Sequence, residues 1–215
     1  MSPRTTLRLS IVATIVATLV AAGGSRESAT DQEVPAKTAG ATTTYGIDDT
    51  HSMALFRVQH MGAGAFWGMF NDLKGTVTYS PGTDLALDVT IDALSVDSNN
   101  AKLDQHLKSP DFFNVKEHPS MTFKSVSSKS SGENRFDVTG DLTIRGTTKR
   151  VTVPIVCLGV ADLGMGSRAG FEAEFTINRS EYGVSYGAAK GAVSDATRVI
   201  VAIEGVSKRA ESAAP

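Results

Sequence analysis

Gly183-Val-Ser185-Tyr-Gly187 has the spacing of the nucleophile turn of serine hydrolases. That chemistry needs a strand before the serine, a helix after it and a histidine further along the chain to act as base. The last histidine is His118, and no helical pattern follows Gly187. The segment therefore reads as a strand-to-loop passage in which glycines supply turn conformations. The four histidines, His51, His60, His106 and His118, form neither H-x-H nor H-E-x-x-H. His51 and His60 are an odd number of residues apart and face opposite sides of one regular strand, which argues against a shared metal ion. Cys157 is the only cysteine, so the chain has no internal disulfide and no cysteine-based zinc site. It reads as a small buried apolar residue. Asn178-Arg-Ser180 fits a glycosylation acceptor, which matters only in a eukaryotic secretory route. No catalytic constellation, metal site or resident cofactor is expected.

What remains is binding chemistry. His60 shares its strand parity with Phe56 and Val58 and is a candidate polar contact near a strand end. Phe66, Trp67, Met69 and Phe70 crowd around Gly68. On one strand they cannot all face inward, so either a bulge re-aims some of them or some line a rim. Lys102, Lys108 and Lys116 read as a solvated face, with a phosphate-binding patch at a barrel mouth as the alternative.

The elements that position these residues are strands. The chain has 215 residues, 41% of them hydrophobic and 20% charged, which excludes global disorder. The formal net charge is −2 with no basic run, which argues against a nucleic-acid partner. Leu85–Asp92, Phe136–Arg145 and Phe171–Asn178 alternate apolar and polar, so each has one buried and one wet face. Met53–His60, Phe66–Phe70, Gly75–Tyr79, Met121–Val126, Val151–Ile155 and Val199–Ile203 are further strand candidates. Arg145–Arg150 is a polar link with glycine, as a hairpin needs. No βαβ rhythm is present. One segment departs from period two: Leu103 and Leu107 lie at i, i+4, with Ser98 or Asn99 as cap, and Ser109-Pro110-Asp111 resembles a fresh helix start. One or two short helices are expected between Ser98 and Phe113.

An antiparallel sheet this long removes its edges by closing, and about eight strands leave a bore that side chains fill or that holds one slender ligand. Leu85, Leu87, Val89, Ile91, Val138, Leu142, Ile144, Phe171, Phe175 and Ile177 share the inward parity, with Gly140 and Ala173 among them. Small inward residues leave room and favour a hollow lumen; a solid core is the alternative. At the N-terminus, Arg4 and Arg8 precede an apolar stretch from Leu9 to Ala22 that is short for a membrane span. Residues 1–22 read as a secretory signal, with an uncleaved anchor as the alternative. No cysteine follows the stretch to take a lipid anchor. Residues 23–44 read as a flexible linker, 45–207 as the folded unit and 208–215 as a disordered tail.

Several stretches in order resemble one family. They are Tyr45-Gly-Ile-Asp48 with His51-Ser52 and Phe56–His60, then Ser95-Val-Asp97, His106–Phe113 and His118–Ser125, then Gly140–Lys149, Arg168–Glu174, Phe175–Gly183 and the final Val199–Glu204. Together they are similar to the YceI-like, polyisoprenoid-binding proteins. Lys108 stands where arginine is common, and Thr147 where a bulkier apolar residue often precedes the threonine. The resemblance implies an all-β, lipocalin-like antiparallel barrel in the bacterial periplasm. It also implies a long isoprenoid lipid, an isoprenoid quinone or a similar amphiphile in the lumen, held for transport, storage or sequestration. It implies no catalytic residue, and leaves a homodimer and transient membrane contact open. The expected lumen residues are Phe56, Val58, His60, Phe66, Trp67, Phe70, Leu87, Val89, Leu107, Phe112, Phe113, Phe123, Leu142, Ile144, Phe171 and Phe175.

A ligand of about 40 heavy atoms at roughly 0.3 kcal/mol per atom would gain about 12 kcal/mol, near nanomolar affinity. A barrel of strands about nine residues long at roughly 40° tilt is about 25 Å tall or less, so a long prenyl chain must bend or protrude. The rival readings are a redox accessory or enzyme acting with an isoprenoid quinone through His60, His106 and Asp104, and a ligand-free structural barrel.

Overall fold

The computed structural model describes residues 41–207 apart from 163 and 165. The expected signal segment 1–22, most of the linker and the tail 208–215 lie outside the described residues. The strands are β1 (Thr43–Ile47), β2 (Met53–His60), β3 (Gly64–Phe70), β4 (Leu73–Ser80), β5 (Asp84–Asp92), β6 (Val96–Asp97), β7 (Ser120–Gly132), β8 (Arg135–Ile144), β9 (Thr147–Asp162), β10 (Ser167–Asn178) and β11 (Ala196–Ser207). One α-helix, α1, spans Ala101–Lys108. β1 begins two residues inside the expected linker, because Thr43 and Thr44 already pair with Tyr79 and Thr78.

All pairings are antiparallel, in the order β1-β4-β5-β7-β8-β9-β10-β11, and β1 returns to β11 through Gly46 and Ile47. Eight strands therefore close into a barrel. Above the short β1, β11 pairs instead with β2, from Arg198↔Arg57 to Ala202↔Met53. β1 and β2 thus act as one long strand broken at a 3-10 turn, Asp49–His51. The break is held by Ser52, whose buried hydroxyl accepts the Glu204 N–H at 3.0 Å.

Period two is realised along the barrel wall. In β8, Phe136, Val138, Gly140, Leu142 and Ile144 are buried while their neighbours are not. β9 runs well past the expected Val151–Ile155, because its outer half has lost the alternation: Leu158 and Val160 are exposed beyond the end of its β8 partner at Arg135↔Val156. The helix cap is Asn100, not Ser98 or Asn99; its Oδ1 accepts the N–H groups of Lys102 and Leu103, both at 3.1 Å. The expected second helix is absent. The N–H groups of Phe113 and Val115 return to the carbonyls of Leu107 and Lys108 and Asn114 takes φ 48°, so Ser109–Val115 closes the end of α1.

The interior has two tiers. The β4–β5 and β7–β8 turns and the adjoining ends of β9 and β10 ring one end, and there the bore is solid. Tyr79 meets Phe136 and Phe171 edge-on at centroid distances of 5.9 and 5.5 Å, among Val77, Leu85 and Val138. Burial, with the Cys157 thiol beside it, pushes the Tyr79 hydroxyl up to about 12. At the other end lie α1, the β2–β3 turn and the loop 179–195, and there the bore is hollow. Gly140 does not supply that space: a Cβ there would lie 2.5 Å from the Phe123 ring and 2.7 Å from the Lys124 carbonyl. The Phe56 ring covers Gly68 in the same way. These glycines let a neighbouring aromatic lie flat on the wall.

The floor carries a direct prediction. Phe136→Ala leaves a void among rigid strands that cannot collapse, so chemical denaturation should show a loss of about 3–5 kcal/mol.

Candidate functional site

The hollow end is one chamber of about 670 Å³. Its walls come from the elements whose inward parity the sequence displays. Phe56, Val58 and His60 project from β2, Phe66 and Phe70 from β3, and Leu87 and Val89 from β5. Phe123 comes from β7, Leu142 and Ile144 from β8, and Phe171 and Phe175 from β10. Leu107 of α1, with Phe112 and Phe113 behind it, closes part of the top. Trp67 is the one expected lumen residue that lies elsewhere. β3 pairs with β2 in unbroken register, so no bulge re-aims it. Phe66, Gly68 and Phe70 point in; Trp67 is 42% exposed on the outer face, its ring 5.8 Å from the Arg198 guanidinium.

Two aromatic groups shape the chamber. Phe56, Phe66, Phe70 and Phe113 form one wall, with centroid separations from 5.1 to 6.3 Å. At the mouth His106, Phe112 and Tyr186 meet one another at 5.0 to 5.1 Å, and Asp111 holds the His106 Nε2 at 3.0 Å. His60 sits on the opposite rim and bridges to Val193. His51 is at the other end of β2, with its Nδ1 on Asp48 at 3.0 Å. Asp48, His51 and Glu204 converge closely enough to suggest a metal site. The Arg168 guanidinium already lies on both carboxylates there. His51 and then Arg168 hold the Asp48 carboxyl below the usual carboxylate range.

Arg179 was not singled out by sequence reasoning, yet it anchors the mouth. It lines the chamber at 6% exposure. Its Nε donates to the Ser194 carbonyl at 2.8 Å. Its two terminal nitrogens donate to the carbonyls of Val184, Tyr186 and Val193 at 2.7 to 2.9 Å. One guanidinium thereby folds the whole loop 179–195 over the top of the barrel. Burial pulls its pKa down, but a guanidinium stays charged. Asp195 completes the loop by accepting the N–H and the hydroxyl of Ser180, at 2.8 and 2.7 Å. Asn178 is engaged locally, its Nδ2 donating to Glu181 at 3.1 Å. Ser185 lies exposed in this loop between Gly183 and Gly187, both left-handed, with no hydrogen bond to a histidine. Tyr182 and Val184, which also line the chamber, had no periodic signal because the loop is irregular.

A closed antiparallel barrel, solid at one end and opening into an apolar chamber at the other, is a lipocalin-like all-β architecture. The chain belongs to the YceI-like family, whose model matches residues 45–205. It is 39% identical over 171 residues to Protein YceI of Escherichia coli, covering 77% of this chain and 87% of that one. The fold is similar to the YceI protein of Campylobacter jejuni, with TM-score 0.64 at 28% identity over 70% of this chain and 90% of that one. It is also similar to a domain of Saccharophagus degradans described as polyisoprenoid-binding, with TM-score 0.61 at 16% identity over 76% and 98% of the two chains.

The mouth yields two predictions. Arg179→Met strands four carbonyls, one buried and three half-buried, and Arg179→Lys cannot reproduce the planar fork, so both should lower the unfolding free energy by about 3 kcal/mol or more in denaturant titration. Asp195 has a depressed folded-state pKa, first through the Ser180 hydroxyl and then its N–H. Its contribution is complete at neutral pH and is lost as the pH falls through that folded value. Asp195→Asn should therefore make the acid arm of the stability–pH curve shallower.

Proposed function

We propose that the protein is a binding protein that holds one long isoprenoid lipid, or an amphiphile with a similar tail, in this chamber. The observation that carries the reading is the chamber itself: about 670 Å³ walled by aromatic and aliphatic side chains, with its polar groups at the mouth. That volume falls in the range of sites that take small organic ligands, roughly 300–1,000 Å³. At roughly 30 Å³ per heavy atom the chamber takes on the order of 20 heavy atoms. At about 0.3 kcal/mol each they contribute about 6 kcal/mol, so an affinity of tens of micromolar rather than nanomolar follows from the enclosed tail alone. The rest of a longer chain bends or leaves through the mouth. The polyisoprenoid-binding description of the Saccharophagus degradans domain supports the same class of ligand. An isoprenoid quinone fits the mouth as well, because its flat ring matches the aromatic group of His106, Phe112 and Tyr186. Arg4, Arg8 and the apolar Leu9–Ala22 support export, and so transport, storage or sequestration of the lipid in the periplasm.

Solvent extraction and mass spectrometry of the purified protein should recover a prenyl lipid or quinone, the latter visible in its ultraviolet spectrum. Failure of the protein to take up any prenyl lipid, amide or fatty acid would defeat the reading. Leu142→Trp should leave stability within about 1 kcal/mol and abolish uptake, because the ring fills empty space. A loss of several kcal/mol would instead indicate a packed lumen.

A further inference from the structure

On one side of the mouth, two outer segments carry almost no charge. Residues 61–70, Met-Gly-Ala-Gly-Ala-Phe-Trp-Gly-Met-Phe, carry no ionisable side chain. In residues 184–194 the only one of permanent charge is Lys190. The two segments form one platform: the Met61 N–H donates to the Ala192 carbonyl at 2.8 Å, the Ser194 N–H to that of Gln59 at 2.9 Å, and His60 bridges to Val193. Met61 is 66% exposed and Tyr186 47%. Ala63, Gly64 and Ala65 are exposed beside them. Phe66 and Tyr186 line the chamber and also reach this platform, so the apolar surface runs unbroken from the interior to the outside. Across the mouth, α1 presents exposed Lys102, while its Asp104 is engaged by the Ser98 N–H and hydroxyl.

We propose that this platform docks onto an anionic lipid bilayer, so that a chain passes between membrane and chamber without crossing water. The inference rests on the lipid-binding reading and names the partner of the same site. Exposed apolar residues flanked by Lys190 and, across the mouth, by Lys102 suit the interface of an anionic membrane, and Trp67, on the outer face just below the rim, is of the type that settles at headgroup level. A soluble protein partner would meet a platform almost without charge or hydrogen-bonding side chains to specify it.

The full chain should be mixed with vesicles of equal parts phosphatidylethanolamine and phosphatidylglycerol. Trp67, the only tryptophan, reports on the rim directly. Its emission should shift to the blue, and the shift should weaken with salt and in purely neutral vesicles. Met61→Asp with Ala63→Asp should lower vesicle partitioning at least tenfold. The double variant carries the same N-terminal apolar segment as the parent, so the difference reports the platform. Met61 has φ 54°, which aspartate tolerates, and neither residue lines the chamber. Lys190→Glu, on the exposed loop, should weaken binding to the anionic vesicles only. Affinity for a short geranyl probe titrated in solution should be unchanged in all variants. An unshifted Trp67, or a double variant that partitions like the parent, would overturn the proposal. So would a dimer that the double variant dissolves, since the platform would then belong to a second copy. Loss of geranyl binding in the parent itself would instead count against the chamber as a lipid site.

Discussion

Closure through β1 is the constraint on which the rest of this molecule depends. A long antiparallel sheet must satisfy its edges, and here five residues, Thr43–Ile47, pair with β4 on one side and β11 on the other. Once the sheet is closed, every inward side chain is committed to a bore of fixed width. What those side chains can and cannot fill then decides what the protein is able to hold.

The filling is uneven. At the turn end, Tyr45, Tyr79, Phe136 and Phe171 meet across the bore and leave no room. At the other end the wall departs from a simple tube. β2 replaces β1 as the neighbour of β11, and β3 leads away to the two-residue β6. The large rings there lie against the wall, Phe123 over Gly140 and Phe56 over Gly68, rather than reaching across. A loop pinned by Arg179 and the short α1 roof the space. The protein thus spends its aromatic bulk on a rigid floor and a smooth wall, and the volume between them remains for a guest.

The barrel was legible because period two survives in β5, β8 and β10, where one face is dry and the other wet. Fifteen of the sixteen expected lumen residues line the chamber, most of them through strand parity and Leu107, Phe112 and Phe113 through the helical segment. Trp67 was drawn in by its size and apolarity, although its parity put it outside with Met69. The outer half of β9 was invisible because Leu158 and Val160 are apolar yet exposed, and a register shift opposite Gly170 and Phe171 breaks the period. The helix cap was misplaced by one or two residues, since Ser98, Asn99 and Asn100 are equally competent and only the backbone chooses. Arg179 had no signal at all: its partners are main-chain carbonyls, which every sequence possesses. The roof of the site was therefore the least readable part, and the strands beneath it the most readable.

The central claim is that the guest occupies the upper tier and nothing below it. Methyl-labelled protein titrated with a prenyl lipid and followed by NMR separates the two tiers residue by residue. Leu87, Leu142 and Ile144 should shift and show contacts to prenyl methyls, while Val77 and Val138 in the floor stay unmoved. Shifts confined to exposed methyls such as Leu158 and Val160, or equal shifts through the floor, would contradict it.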